Sequence, residues 1–279
     1  MSKGVFLIAR NNKHIDYVKQ SIFLARRIKK YLDVPVTIAT DSVKYLESSF
    51  GTDDFDKVIE LPHVEESNRR YFFDGTLSKK TASFKNANRA SVYDLSPYDE
   101  TLLMDTDYII SNSMLKSVFT SKSNFLIYKE SHDIAKVRDE SEFNKISDTS
   151  IDFYWATVVF FRKTKVAKTF FDCIRHIQHN WSHYRNLYMI TNPVFRNDFA
   201  FSIAAHIMNG NKKGNFIKPL PGKLFYVTDR DLLVDETEGT FRFLVEKEDQ
   251  SSYFPVKVSG VNVHIINKFS LNRYIDEQT

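Results

Sequence analysis

Short apolar runs alternate with amphipathic stretches along the first third of the chain. Gly4 to Ala9 is almost wholly apolar and ends at Arg10-Asn11-Asn12, which predicts a buried strand leading into a loop. Ile15, Val18, Ile22, Ala25 and Ile28 then recur every three or four residues, with Lys19, Arg26, Arg27 and Lys30 mostly on the other face, predicting a helix. Val34 to Asp41 reads as a second strand and Val58 to Leu61 as a further short one. This β-α-β order implies a parallel sheet, and in such sheets ligands gather at the carboxyl ends of strands. Asn11, Asn12 and Asp41 fall at such ends.

Further on, Glu65 to Thr76 reads as a loop, and the segment from roughly Ser78 to Asp94 as a helix with Lys85 and Arg89 on one face. Phe125 to Tyr128 and Trp155 to Phe161 read as strands. The polar stretch between them, about Lys129 to Asp152, reads as a mobile loop near the site. Helices are expected over Val166 to Tyr184 and Asp198 to Met208, and short strands and turns from there to Lys268. No internal repeat or linker stands out.

The pattern breaks most informatively at Leu102-Leu103-Met104-Asp105-Thr106-Asp107-Tyr108-Ile109-Ile110, where two carboxylates interrupt an apolar run. Charge beside a core strand is costly to desolvate unless a cation or hydrogen bonds offset it. Residues i and i+2 of a strand share a face, so Asp105 and Asp107 can grip one cation if the strand continues through them. A strand running into an acidic surface turn is the plain alternative, but Tyr108 resumes the apolar pattern.

A chain of 279 residues has room for a large α/β domain, and 24 Phe and 14 Tyr against 8 Gly and 7 Pro argue for packed elements over disordered tails. The single Cys173 can form no internal disulfide, which fits a reducing compartment. The apolar core at the N-terminus is too short for a signal peptide, and no stretch approaches a membrane span, so a soluble cytoplasmic protein is expected. The net charge of +4 permits a polyanionic partner without requiring one. Between Gly75 and Tyr93 the charges are one-signed: Lys79, Lys80, Lys85 and Arg89 with no acid, a pattern suited to an anion site. His176, His179 and His183 share roughly one helix face but lack an acidic partner, so a solvated or aromatic-packed face is expected there rather than a metal site.

Taken in order, Lys85, Arg89, Pro97-Tyr98-Asp99, the apolar strand and Asp105-Thr106-Asp107 resemble the GT-A type glycosyltransferases, the nucleotide-diphospho-sugar transferases of the glycogenin-like and bacterial galactosyltransferase-like kind. The likeness runs from Val5 to Lys268. It implies one domain over 1–279, with a nucleotide-binding half at about 1–110 and an acceptor-side half at about 111–279. The implied fold is Rossmann-like α/β, with a mixed, mainly parallel sheet flanked by helices. It also implies an enzyme transferring a hexosyl or pentosyl group from a nucleotide-sugar donor, such as a UDP-sugar, with Mn²⁺ or Mg²⁺ as cofactor. Asp105, Asp107 and His264 match the metal ligands, and Thr106 lies between the two acids at the donor. Lys268 resembles the lysine that contacts the diphosphate, although His264-Ile265-Ile266-Asn267-Lys268-Phe269 lacks the Gly and Trp of the family's His-X-X-Gly-X-X-Lys-Pro-Trp.

By the same resemblance Asn11, Asp41 and Tyr17 receive the nucleoside, with core packing an equal role for Tyr17. Trp155 and Thr157 line the sugar and acceptor pocket, and Lys85 and Arg89 offset phosphate charge. Asp198 binds sugar hydroxyls or acts as a catalytic base, with a helix N-cap as its structural alternative. The implied chemistry is departure of a diphosphate from a sugar of oxocarbenium character, with the divalent cation neutralising the leaving group. The acceptor is left open among a glycan, a protein and DNA carrying hydroxylated bases, as in phage-type enzymes. Two other readings compete. A haloacid-dehalogenase-like phosphatase also uses Asp-X-Asp, but early in its domain and followed by small residues. A non-enzymatic nucleic-acid-binding protein would use the basic stretch, which lacks interleaved aromatics.

Overall fold

The computed structural model describes residues 1–63, 68–85, 87–136, 138, 140, 143–147 and 150–278. The first half runs β1 (Lys3–Ala9), α1 (Tyr17–Tyr31), β2 (Val36–Thr40), α2 (Val43–Ser49), β3 (Lys57–Glu60), β4 (Arg69–Asp74) and β5 (Ser78–Ser83). A 3₁₀ turn (Ala87–Ser91) then leads to α3 (Val92–Leu95), β6 (Glu100–Met104) and β7 (Tyr108–Ile109). The second half runs β8 (Phe125–Tyr128), β9 (Ser131–Asp133), β10 (Trp155–Arg162), α4 (Lys165–His179), α5 (Trp181–Leu187) and α6 (Asn197–Met208). It closes with β11 (Lys218–Pro219), β12 (Leu224–Val227), β13 (Leu232–Thr237), β14 (Thr240–Glu246), β15 (Tyr253–Ser259), β16 (Val263–Ile265) and α7 (Lys268–Gln278).

The main sheet has the order β11-β8-β10-β6-β1-β2-β3, and β10 alone in it runs against the other strands. This is the mixed, mainly parallel sheet flanked by helices that was expected. Its central strands are buried end to end, as unbroken apolar runs require when helices cover both faces. Gly4 permits the tightest contact beside β1: a Cβ there would lie 2.4 Å from the Tyr98 ring, whose hydroxyl bonds Thr37 at 2.8 Å.

A second sheet, β7-β16-β12-β9, continues from the Asp-X-Asp turn, and β13-β14-β15 form an antiparallel sheet beside it. The β4-β5 hairpin straps across the start of α7. Phe72 and Ala82 pack with Ile15 and Phe269, and Arg273 pairs with Asp74 at 2.7 Å.

Four local readings are corrected. Ser78 to Asp94 is helical only from Ala87 onward: Ser78–Ser83 pairs antiparallel with Arg69–Asp74, so half of the loop expected over Glu65 to Thr76 is strand, its residues 65–67 lying outside the described ones. The charge pattern suggests a surface helix, but Tyr71, Phe72 and Phe73 pair across from Thr81, Lys80 and Lys79 in a hairpin turning at Gly75 (φ +73°). The helix expected to reach Tyr184 breaks at Asn180. Lys129 to Asp152 contains β9 and is pinned where Arg138 bonds Asp231 and Asp133; residues 137, 139, 141–142 and 148–149 lie outside the described ones. The C-terminal helix α7 was not foreseen, and Asn267 caps it by accepting from Phe269 N and Ser270 N at 3.1 and 3.0 Å.

Candidate active site

Strand β6 stops at Met104, and the two acids lie in a turn closed by Tyr108 N donating to Asp105 O at 3.1 Å. Their convergence is therefore a property of this turn and not of a strand face. Three contacts hold the turn. Asp105 N donates to Thr157 O at 2.8 Å, because antiparallel β10 begins where β6 ends. Ile265 N donates to Asp107 O at 2.9 Å, because β16 pairs with β7 and sets His264 opposite Tyr108. The buried Thr106 hydroxyl donates to Gln20 Oε1 at 3.3 Å.

One oxygen from each of Asp105 and Asp107 and one nitrogen of His264 lie within 4.8 Å of one another. The set of two hard carboxylates and an imidazole fits a divalent ion. The buried Nδ1 of His264 has no hydrogen-bond partner among the described residues, while its Nε2 lies 3.4 Å from Asp107 Oδ2. Lys268 Nζ reaches the same oxygen at 2.6 Å, delivered by the first turn of α7. Burial alone would raise the pKa of Asp107, but Lys268 and His264 outweigh it and hold the carboxyl far below the usual range. Asp105 shifts upward: burial in the cleft and the charge of Asp107 exceed the opposing pull of Arg89. Its side chain stays 36% exposed, whereas that of Asp107 is 5% exposed.

Lys85 and Arg89 do not act together. The buried Arg89 clasps Asp105 and donates to the Ala156 and Thr157 carbonyls, bracing the turn against β10. Lys85 turns to Asp41, whose Oδ2 it shares with Arg10, each at 3.1 Å. Asn11 is engaged within its own loop, accepting from Val18 N and donating to Asp16. Tyr17 borders the cleft while packing against the core; burial raises its hydroxyl pKa, Arg70 opposes this, and Asp107 and Asp105 add to it.

Trp155 and Thr157 are buried in a central strand, and the Trp155 indole N–H lacks a partner among the described residues. Asp198 does not cap α6. It is the second helical residue, and its carboxylate accepts from Ala156 N at 2.9 Å and from Arg196 at 2.8 Å. His176, His179 and His183 are exposed and belong to no candidate metal group among the described residues.

Three residues at this site escaped the sequence reading. Gln20 is fully buried and ties Thr106 to Asn272 and to the Lys268 carbonyl; a polar residue beside the apolar stripe of α1 was the available signal. Arg70 and Arg196 both act electrostatically on the cleft, and each stands beside aromatic residues in the sequence.

No family profile and no curated protein sequence matches the chain. Solved structures similar to it include the bifunctional IspDF from Campylobacter jejuni, with TM-score 0.42 and 12% identity over 80% of this chain and 50% of that one. The glycosyltransferase GlyE in Streptococcus pneumoniae TIGR4 has TM-score 0.40 and 8% identity, over 79% and 45%. The galactosyltransferase LgtC, solved with donor and acceptor sugar analogs, has TM-score 0.42 and 11% identity, over 81% and 74%. The chain spans about half the length of the first two. No helix among the described residues is long and apolar enough to cross a membrane.

Proposed function

We propose that this chain is a metal-dependent glycosyltransferase moving a sugar from a nucleotide-diphospho-sugar, a UDP-sugar, to an acceptor hydroxyl on a glycan, a protein or a modified DNA base. The observation that carries the reading is the meeting of Asp105, Asp107, His264 and Lys268 at the carboxyl edge of a mainly parallel sheet. Asp105, Asp107 and His264 would hold Mn²⁺ or Mg²⁺, which when bound neutralises charge on the departing diphosphate. Lys268 supplies a fixed positive charge beside the same carboxylate, in a cleft where preorganised charge acts strongly. Asp198 already accepts on both oxygens, which suits it to orienting sugar hydroxyls rather than to removing a proton. The phosphatase reading needs a free carboxylate nucleophile, yet Asp105 is clasped by Arg89 and Asp107 by Lys268.

Thermal denaturation with a panel of nucleoside diphosphates, each with and without Mn²⁺, tests this. Uridine diphosphate with Mn²⁺ is expected to raise the melting temperature by mass action, and Asp107→Asn to abolish the metal-dependent part. Equal stabilisation of wild type and variant, or none by any nucleotide, would sink the reading.

A further inference from the structure

The β4-β5 strap carries an arginine with no direct ion pair among the described residues. Arg70 is half-buried, with its guanidinium 4.6 Å from the Phe72 ring centroid and 4.7 Å from that of Phe84. Among the described residues it makes no salt bridge or hydrogen bond through its side chain. The charged groups that act on it are Arg196 just before α6, Asp229 before β13, and Asp107, and the neutral Tyr17 hydroxyl on α1 faces it as well. Arg196 is likewise held against an aromatic ring, that of Phe199 at 5.2 Å, and its one carboxylate partner among the described residues is Asp198 at 2.8 Å.

Packing brings both guanidiniums toward the Asp105-Asp107 turn. Phe72 and Phe84, under Arg70, pack with Tyr17 and with Phe269, the neighbour of the Lys268 that holds Asp107. Asp198, the partner of Arg196, accepts from Ala156 N beside the Thr157 carbonyl that holds Asp105 N. A half-buried cation without a direct ion pair is costly, and stacking on rings fixes its orientation without neutralising it. A planar fork in that position suits the oxygens of a phosphate.

We propose that Arg70 and Arg196 form a clamp that closes on the diphosphate of the bound donor. Arg70 reaches it from the strap and Arg196 from the opposite wall. The assignment of the anion rests on the sugar-nucleotide reading above. A residue holding oxyanions in this way lowers the dissociation constant of the diphosphate without touching the metal ligands, which separates it from a merely structural role.

Calorimetric titration of inorganic pyrophosphate and of uridine diphosphate, each with Mn²⁺, tests the clamp on wild type, Arg70→Met, Arg70→Lys and Arg196→Met. Methionine keeps the aliphatic packing on the phenyl rings, and circular dichroism with the melting temperature checks the fold. Each methionine variant is expected to weaken both anions about tenfold or more, with the affinity for Mn²⁺ alone unchanged. Arg70→Lys keeps the charge but loses the fork, and is expected to fall between wild type and Arg70→Met; should Arg70→Met unfold, it decides the matter. Pyrophosphate bound equally by wild type and the folded Arg70 variants overturns the clamp, whatever the nucleotide does. Arg70-dependent binding of pyrophosphate without any binding of uridine diphosphate would uphold an anion clamp and remove the nucleotide reading instead.

Discussion

Two charge clusters stand at the same edge of the main sheet, one at the end of β2 and one at the end of β6, and they are built from similar parts. Asp41 is sealed: its side chain is 2% exposed, and Arg10 and Lys85 both hold its Oδ2. The Asp105-Asp107 cluster also holds cations, but Asp105 keeps a third of its side chain open and His264 has an unpartnered nitrogen. A buried pair whose carboxylate is closed off is a structural lock, whereas one whose carboxylate stays partly open, beside an imidazole that can turn a nitrogen to it, can still take a ligand. The difference separates two strand-end aspartates that look alike in the sequence.

Substitution should split the clusters cleanly. Asp41→Ala strands Arg10 and Lys85 beside a cavity, and breaking a buried pair costs about 3–5 kcal/mol. Chemical denaturation should record that loss, while the protein still folded binds Mn²⁺ as wild type does. If Asp41→Ala instead abolished metal binding and left the stability unchanged, the two clusters would have to exchange roles.

A third pair, belonging to neither cluster, sharpens the point through pH. Arg27 bonds Glu236 at 2.8 Å. Burial would raise the pKa of Glu236, but Arg27, the Gly239 amide and Tyr274 together lower it. A carboxyl depressed in the folded state adds stability that is fully present above its unfolded pKa. That stability is lost as pH falls through the folded one. The melting temperature of wild type should therefore fall faster than that of Glu236→Gln below about pH 4.5, with Glu236→Gln the less stable of the two at pH 7. Parallel profiles would remove the assignment.

The smallest effect is expected at the residue between the two acids. Thr106→Val keeps the shape but strands Gln20 Oε1, costing about 1–2 kcal/mol. Because the hydroxyl bonds Gln20 and is not among the groups that could hold the ion, the Mn²⁺ affinity should change less than threefold. A larger loss would mean that Gln20 sets the position of the turn.

Several features were visible in local pattern. The β-α-β start, the strands around Phe125 and Trp155 and the helices near Val166 and Asp198 follow from apolar spacing, and the Asp-X-Asp stands out because it interrupts an apolar run. The hairpin was missed because its charges suggested a helix face, and the cross-strand pairing of Phe72 with Lys80 and of Arg70 with Ala82 cannot be seen from one strand alone. Lys85 and Arg89 were grouped by sequence distance, but the chain leaves β5 in a 3₁₀ turn and sends them to different aspartates.

Amino-acid order by itself determined the element types where periodicity is strong, the sheet's mainly parallel character and the candidacy of Asp105 and Asp107, because burial of apolar side chains is a local constraint that repeats along the chain. Tertiary structure alone decided that antiparallel β10 delivers Thr157 to the turn, that β16 sets His264 beside it, and that the strap packs Phe72 and Phe84, with Arg70 stacked on them, against Tyr17 and Phe269. Those outcomes depend on register between segments far apart in the chain, and register is an energy of pairs that no single segment contains.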